Sequence, residues 1–256
     1  MDSSWWLSAI TDIGILAIIA LAFVVGGLVK GLIGGGLPSI VVPVMAIVVE
    51  PAFAAAVTLV PVVATNLWQA LDGRLLIPVL RRFGVLLTTL FTGVLVGSQL
   101  LVGLPPHLSA LVIGASVVVL SPLPLLSHRF SIANRHERIL NPAVGGVLGV
   151  LGGATVIFTP ALIYLVMLRL EKNLHVTAAA VMAICAMVPL YLGLGFSAAL
   201  NWETGRFSVV LLVPTLLGYL AGRALRGQIS QTAFQFIVTA SLVLIGIGLI
   251  HKGLSA

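Results

Sequence analysis

Long apolar runs, separated by short polar connections, make up most of the chain. Several runs reach the roughly 20 residues that a helix needs to cross a bilayer, and they are too continuous for the alternating strands of an outer-membrane barrel. We therefore predict membrane-spanning helices. Hydropathy and breaker residues divide the chain into ten segments, at 13–33, 37–49, 52–71, 83–103, 108–126, 142–151, 155–168, 176–200, 207–225 and 234–250.

A polar, basic link at 127–140 separates the first five segments from the last five. Four landmarks of the first set recur in the same order in the second, at offsets of 118, 117, 124 and 125 positions. In the first landmark, Gly27, Gly31 and Gly35 recur as Gly145, Gly149 and Gly153, and in the second, Gly35, Gly36 and Pro43 recur as Gly152, Gly153 and Pro160. In the third, residues 54–57 recur as 178–181, and in the fourth, Gly93 and Gly97 recur as Gly218 and Gly222. This order predicts an internal duplication, with repeats at 1–128 and 129–256.

The number of crossings decides how the repeats are related. If all ten segments cross, ten Lys and Arg residues share one side and two lie opposite; if two short segments are re-entrant, the division is 8 to 4, with Lys30 left out of both counts. The positive-inside rule favours ten crossings, with inverted repeats and both termini outside the cytoplasm. Eight full spans plus two re-entrant segments remain the alternative, because 37–49 covers only about 20 Å as a helix against about 30 Å of hydrocarbon.

The composition supports insertion into a membrane. Hydrophobic residues make up 60% of the chain, charged residues make up 8%, and the mean hydropathy is +1.22, so there is too little polar surface to coat a water-soluble globule. The basic residues behind the net charge of +6 lie mostly in the connections, which indicates the lipid bilayer as a partner and argues against nucleic acid. The single cysteine, Cys185, can form no intramolecular disulfide.

One stretch, at 26–39, interrupts its apolar segment with glycines, a proline and a lone lysine. Inside a membrane, such a stretch frees backbone N–H groups that only protein, water or a ligand can satisfy. The helix predicted to resume at about residue 38 begins with exposed N–H groups and a positive dipole end, which suit an anion near the midplane. The candidate anion contacts of this first break are Lys30, Gly34, Gly35, Gly36, Pro38 and Ser39.

The second repeat carries a corresponding break at Gly152 and Gly153, and a helix is predicted to resume from about Thr155, whose hydroxyl is a second candidate donor. Inverted repeats would direct the two helix starts toward one region from opposite sides. Asn66 and Gln69, three positions apart in the third segment, could present their amides to the same ligand. These residues complete the predicted substrate site.

Each of these residues also has a structural interpretation. Lys30 could snorkel to the cytoplasmic interface from the end of the first segment. The glycines at spacing four are typical of close helix packing, a role that is compatible with ligand contact. Asn66 and Gln69 could form an interhelical hydrogen bond instead of binding a ligand.

Enzyme signatures are missing from the sequence. It has no P-loop, no GxSxG elbow, no HExxH motif and no close Cys/His cluster, and His128 and His136 are poorly spaced for shared metal ligation on one helix. We therefore expect no catalytic residue, no metal and no cofactor. Few carboxylates approach the spans, so no proton relay is assigned.

The first glycine stretch and the third segment, with its sequence Asn66-Leu67-Trp68-Gln69, resemble the first repeat of the sulfite exporter TauE/SafE family of bacterial membrane transporters. The motif from Lys30 to Pro38 is similar to the family branch with a KGxxGxGxP-like pattern. The second repeat matches through Gly145, Gly149, Gly152, Gly153, Pro160 and Tyr164. It departs from the family at Ala154, where many members have a third glycine.

This resemblance implies secondary transport of a small organic or inorganic anion, such as sulfite or a sulfonate. Together with the residue analysis, it leads us to expect a multi-pass transporter of the bacterial inner membrane that works by alternating access and is not an enzyme. A membrane-embedded enzyme and a non-transporting assembly subunit are the alternatives. An enzyme should show clustered titratable groups that face one cavity, whereas an assembly subunit should lack a central polar cavity between the repeats. Whether the chain forms a homo-oligomer is left open.

Overall fold

The computed structural model describes residues 13–72, 75–126, 131–196, 201–225 and 231–255. Regular structure in these ranges is entirely helical, without a strand. The helices are α1 (Ile13–Ile33), α2 (Leu37–Ala46), α3 (Pro51–Ala56), α4 (Leu59–Asp72), α5 (Leu76–Gly103), α6 (Pro106–Leu120), α7 (Leu123–Leu126), α8 (Asn134–Thr155), α9 (Thr159–Met167), α10 (Lys172–Phe196), α11 (Trp202–Leu225) and α12 (Gln231–Leu254).

Many large apolar side chains point outward, among them Val213 and Leu217 on α11, which are 62% and 63% exposed. An outer surface of this kind belongs in lipid, where helices satisfy their own backbone groups. The chain is therefore an all-α polytopic membrane protein, as the sequence predicts. Five stretches of the described chain are long and apolar enough to cross a membrane: Ile13–Leu32, Pro51–Leu71, Leu76–Gly103, Asn173–Gly195 and Trp202–Leu225.

The predicted link at 127–140 includes residues that are helical in the structure. Its residues 127–130 lie outside the described residues, and α8 already begins at Asn134 and continues through Pro142. Hydropathy detects only the apolar part of this helix, so the prediction missed its polar first turns. Glu137 in the first turn forms an ion pair of 2.8 Å with Arg82, which lies in the equally unpredicted start of α5.

The third predicted segment is divided into α3 and α4, and proline explains the division. Pro61 has no N–H to donate to the carbonyl of Val57, four residues earlier. Ser208 on α11 donates its hydroxyl to that carbonyl at 2.7 Å, and the same hydroxyl accepts a hydrogen bond of 3.0 Å from the N–H of Val60. The fifth predicted segment is likewise divided, into α6 and α7, at its prolines.

Glycine faces bring three pairs of helices into backbone contact, one of which is α6 with α12 through Gly114 and Gly246. In the pair α5 and α8, a Cβ added at Gly93 or Gly97 would collide with the backbone of α8, and a Cβ added at Gly149 or Gly153 would collide with the backbone of α5. The pair α1 and α11 makes the same reciprocal contact through Gly27, Gly31, Gly218 and Gly222. The first helix of each predicted repeat therefore packs against the other repeat, so the two halves interlock.

These contacts favour a different register for the predicted duplication. Gly149 faces Leu90 and Val94, whereas Gly27 faces Thr215 and Tyr219, which lie 125 positions after those two residues. Gly27 thus corresponds to Gly149, at an offset of 122 positions instead of the 118 predicted for this glycine ladder. The duplication itself remains a prediction, which the matching contacts support.

We predict that Gly149→Ala destabilises the protein by about 1–3 kcal/mol, because the new methyl group would lie 2.7 Å from the carbonyl oxygen of Leu90 and force α5 and α8 apart. The thermal unfolding temperature of the purified protein in detergent measures the effect. Gly146→Ala is the matched control, since a Cβ at Gly146 meets no atom within 4 Å. Equal unfolding temperatures for the two variants would contradict the packing described for this face.

Candidate functional site

The first break lies between α1 and α2, at Gly34, Gly35 and Gly36. Gly34 and Gly36 have φ angles of 94° and 90°, in the left-handed region that favours glycine. No oxygen of the described residues accepts a hydrogen bond from the N–H groups of Gly35 or Gly36. The predicted restart of the helix at Pro38 agrees with the structure, in which α2 begins at Leu37. The break therefore presents free donors beside a helix N-terminus.

Lys30, in the last turn of α1, is only 2% exposed. Its Nζ donates a hydrogen bond of 2.7 Å to Oδ1 of Asn66 on α4, and the Asn66 amide nitrogen donates to the carbonyl of Val62 at 2.8 Å. None of the four carboxylates whose side chains the structure describes, at Glu50, Glu137, Glu171 and Glu203, lies within 4.0 Å of this ammonium group. The side chain therefore does not snorkel away from the break but points into the protein, with no counter-ion among those four groups.

A cavity of about 40 Å³ lies between the Lys30 side chain and the first break. Its volume suffices for a guest about the size of a water molecule or slightly larger. The polar and glycine-rich wall consists of Lys30, Gly34, Gly35, Gly36, Leu37, Pro38, Ser39 and Asn66. The remaining lining residues are apolar: Val62, Leu90, Phe158, Ala161, Leu162, Ala179, Met182, Ala183, Ala186 and Met187.

Gln69 lies next to this cavity but does not line it. Its Nε2 donates a hydrogen bond of 3.3 Å to the carbonyl of Gly34, so the side chain braces the first break from α4. Its Oε1 is buried and has no hydrogen-bond partner in the described part of the chain. The two amides predicted to act together therefore differ, because Asn66 contacts Lys30 and Gln69 contacts the backbone.

The second break does not have the predicted form. Gly152 and Gly153 lie within α8, Thr155 is its last residue, and the next helix begins at Thr159, so the predicted helix start at Thr155 is wrong. The Thr155 hydroxyl donates to the carbonyl of Leu151 at 2.7 Å and accepts from the N–H of Ile157 at 3.2 Å. The hydroxyl thus forms hydrogen bonds with two backbone groups at the C-terminal end of α8, as the short polar side chain of threonine can.

The glycines of the second repeat do not line the cavity either. A Cβ at Gly153 would meet the backbone of Val94, and a Cβ at Gly152 would meet the ring of Phe158. The offset of 122 positions places Gly152 at the position of Lys30 and Phe158 at the position of Gly36. The first repeat thus has a lysine and an open glycine where the second has a glycine covered by a phenyl ring.

The structure thus brings together the predicted residues of the first break and Asn66, but not those of the second break. Phe158 and the methionines Met182 and Met187 are cavity-lining residues that sequence reasoning missed. Apolar side chains in an apolar chain carry no signal of their own. The one available signal was the register of the duplication, because an offset of 122 positions aligns Phe158 with Gly36.

Polar contacts outside the cavity hold both short helices in place. Lys252 on α12 donates hydrogen bonds of 2.9 and 3.0 Å to the carbonyls of Ala46 and Ile47 at the end of α2, where a cation suits the helix dipole. Tyr164 on α9 donates a hydrogen bond of 2.6 Å to Asn141 on α8. The helices that follow the two breaks are therefore each tied to a longer helix.

The model of the family described as sulfite exporter TauE/SafE matches residues 18–249, which include both breaks, Lys30 and Asn66. No curated protein and no solved structure matches the chain. Within the described residues, no group of three or more His, Cys, Asp or Glu side chains is arranged to hold a metal ion.

Proposed function

Since the chain belongs to the sulfite exporter TauE/SafE family, we propose that it is a secondary transporter that carries a small anion, such as sulfite or a sulfonate, by alternating access. The description of the family implies membrane transport of an anion. The observation that carries the proposal for this chain is the buried ammonium group of Lys30, which faces a cavity and has no carboxylate partner in the described structure.

An uncompensated charge inside a membrane protein is costly, so it is retained where it meets a partner. In this site the partner would be the anion. It would accept hydrogen bonds from the Lys30 ammonium and the Ser39 hydroxyl, and from the free N–H groups at Gly35 and Gly36. Asn66 would orient the ammonium through its hydrogen bond of 2.7 Å.

The second break would serve as a wall and a hinge instead of a second anion-binding loop. Phe158 lines the cavity, and α9 starts directly after it. Alternating access would move the short helices relative to the glycine-packed pairs, because those pairs are in backbone contact and would move as rigid units. Gly152, Gly153 and Thr155 would then contribute packing and hinge geometry, and not direct contacts.

The site would lie between two inverted five-segment repeats in a bacterial inner membrane, with both termini outside the cytoplasm. The position of Lys252 removes one difficulty for this topology, since it is one of only two basic residues on the side opposite the others. Lys252 forms hydrogen bonds with the end of α2, so its location serves helix capping. A basic residue with such a role needs no cytoplasmic location.

We predict that Lys30→Met lowers the flux of labelled sulfite into proteoliposomes by about 10- to 100-fold, because charge-assisted hydrogen bonds contribute about 1.5–3 kcal/mol. Methionine has a similar length and suits the buried, apolar surroundings of Lys30. Arg138→Met, which removes an exposed cation at the start of α8, is the control and should transport like the wild type. Unchanged flux in Lys30→Met would remove Lys30 from the site.

We predict that sulfite stabilises the wild-type protein against heat but does not stabilise Asn66→Asp, because the new carboxylate would lie beside the Lys30 ammonium and replace the anion. A ligand at 100 times its Kd stabilises a protein by about 2.7 kcal/mol, a difference that thermal unfolding in detergent resolves.

The same substitution at Asn141 is the matched control for this measurement. The oxygen of Asn141 accepts a hydrogen bond from Tyr164, as an aspartate can, and the residue lies outside the cavity. Asn141→Asp should therefore keep the stabilisation by sulfite. A full sulfite effect in Asn66→Asp would show that the anion binds away from Lys30.

A further inference from the structure

The cavity beside the first break contains one charge. Lys30 is the only ionisable side chain among the described residues that line it. Arg82, a cation on the neighbouring helix α5, does not line the cavity and pairs with Glu137 at 2.8 Å. An anion in the cavity would thus meet one positive charge in surroundings with a low dielectric constant.

The second repeat does not supply the second cation that a symmetric site would have. In the register given by the glycine contacts, the counterpart of Lys30 is Gly152, and the counterpart of Gly36 is Phe158. The Phe158 ring covers Gly152 and also lines the cavity. The site is therefore asymmetric, because the first repeat supplies a cation and free donors and the second repeat supplies a phenyl ring.

The other lining residues of the cavity are also apolar, apart from those of the first break and Asn66. Leu90 on α5 and Val62 on α4 face the cavity, together with Met182 and Met187 on α10. The two methionines have flexible side chains, and their rotation could enlarge the cavity, which has a volume of only about 40 Å³. A guest bound here would place its charged end at Lys30 and the rest of its surface against carbon and sulfur atoms.

We propose that this site selects a monovalent anion with a small apolar group, such as a short alkanesulfonate, over an inorganic dianion. The inference rests on the proposed function and specifies its substrate class. A monoanion next to Lys30 gives a neutral complex, whereas a dianion leaves one negative charge without a partner in an apolar cavity. The apolar group gains from contact with Phe158 and the methionines, which cannot hydrogen-bond to a further anionic oxygen.

Methanesulfonate and sulfate form a matched pair for the test. Both have a tetrahedral sulfur atom, and they differ in that a methyl group replaces one anionic oxygen. Each unlabelled anion competes with the uptake of labelled methanesulfonate into proteoliposomes that contain the full-length protein. We expect sulfate to compete at least about tenfold more weakly than methanesulfonate. Sulfate that competes as well as methanesulfonate overturns the inference.

A variant tests the structural cause of the selectivity. Gly152→Lys combined with Phe158→Gly gives the second repeat the lysine and the open glycine of the first. We expect this double variant to reduce the preference for methanesulfonate over sulfate by about tenfold, whereas Phe158→Ala, which adds space without charge, keeps sulfate the weaker competitor. An unchanged preference in a correctly folded double variant would show that charge does not cause the selectivity. If the double variant does not fold, the competition between methanesulfonate and sulfate in the wild type tests the selectivity.

The flux and competition experiments distinguish a failure of this inference from a failure of the proposed function. If Lys30→Met abolishes sulfite flux while sulfate and methanesulfonate compete equally in the wild type, the proposed transport function is supported and the proposed selectivity is contradicted. If no anion is transported in a way that depends on Lys30, the proposed function fails, and the selectivity fails with it.

Discussion

Backbone contact between glycine-lined helices is the constraint on which the rest of this structure depends. The pairs α1 with α11 and α5 with α8 approach so closely that a single added methyl group would meet backbone atoms. These contacts interlock the two halves of the chain and enclose the broken end of α1, where Lys30 and Leu37 are buried. In lipid, the free backbone groups of a broken helix would be costly, so the break depends on this enclosure.

Within this enclosure, the Lys30 ammonium group has no carboxylate partner among the side chains that the structure describes. Lys30 lies in the last turn of α1, opposite the start of α2, and Asn66 fixes its position without neutralising it. Charge, free N–H groups and a helix N-terminus thus converge on one small cavity. The second repeat contributes an apolar cover instead of a second charge, since Phe158 packs over Gly152. An asymmetric site of this kind can hold an anion by one end.

Much of this arrangement could be predicted from the sequence. The end of α1 and the position of the first break follow from hydropathy and glycine alone. The start of α8 could not be found in this way, because its first turns are polar and hydropathy detects only the apolar part. The second break was misplaced because glycine pairs were aligned by spacing, whereas the backbone contacts of Gly149 and Gly153 favour a register one helical turn away. Such contacts depend on the partner helix, which a sequence pattern does not show.

A crystal structure of the full-length protein with selenite, the selenium counterpart of sulfite, tests whether the anion binds beside Lys30. Anomalous scattering from selenium locates the anion without reference to any assumed site. We expect a peak within about 4 Å of the Lys30 ammonium nitrogen, facing Ser39 and the first break. A peak at Gly152, Gly153 and Thr155, with none beside Lys30, would contradict this expectation.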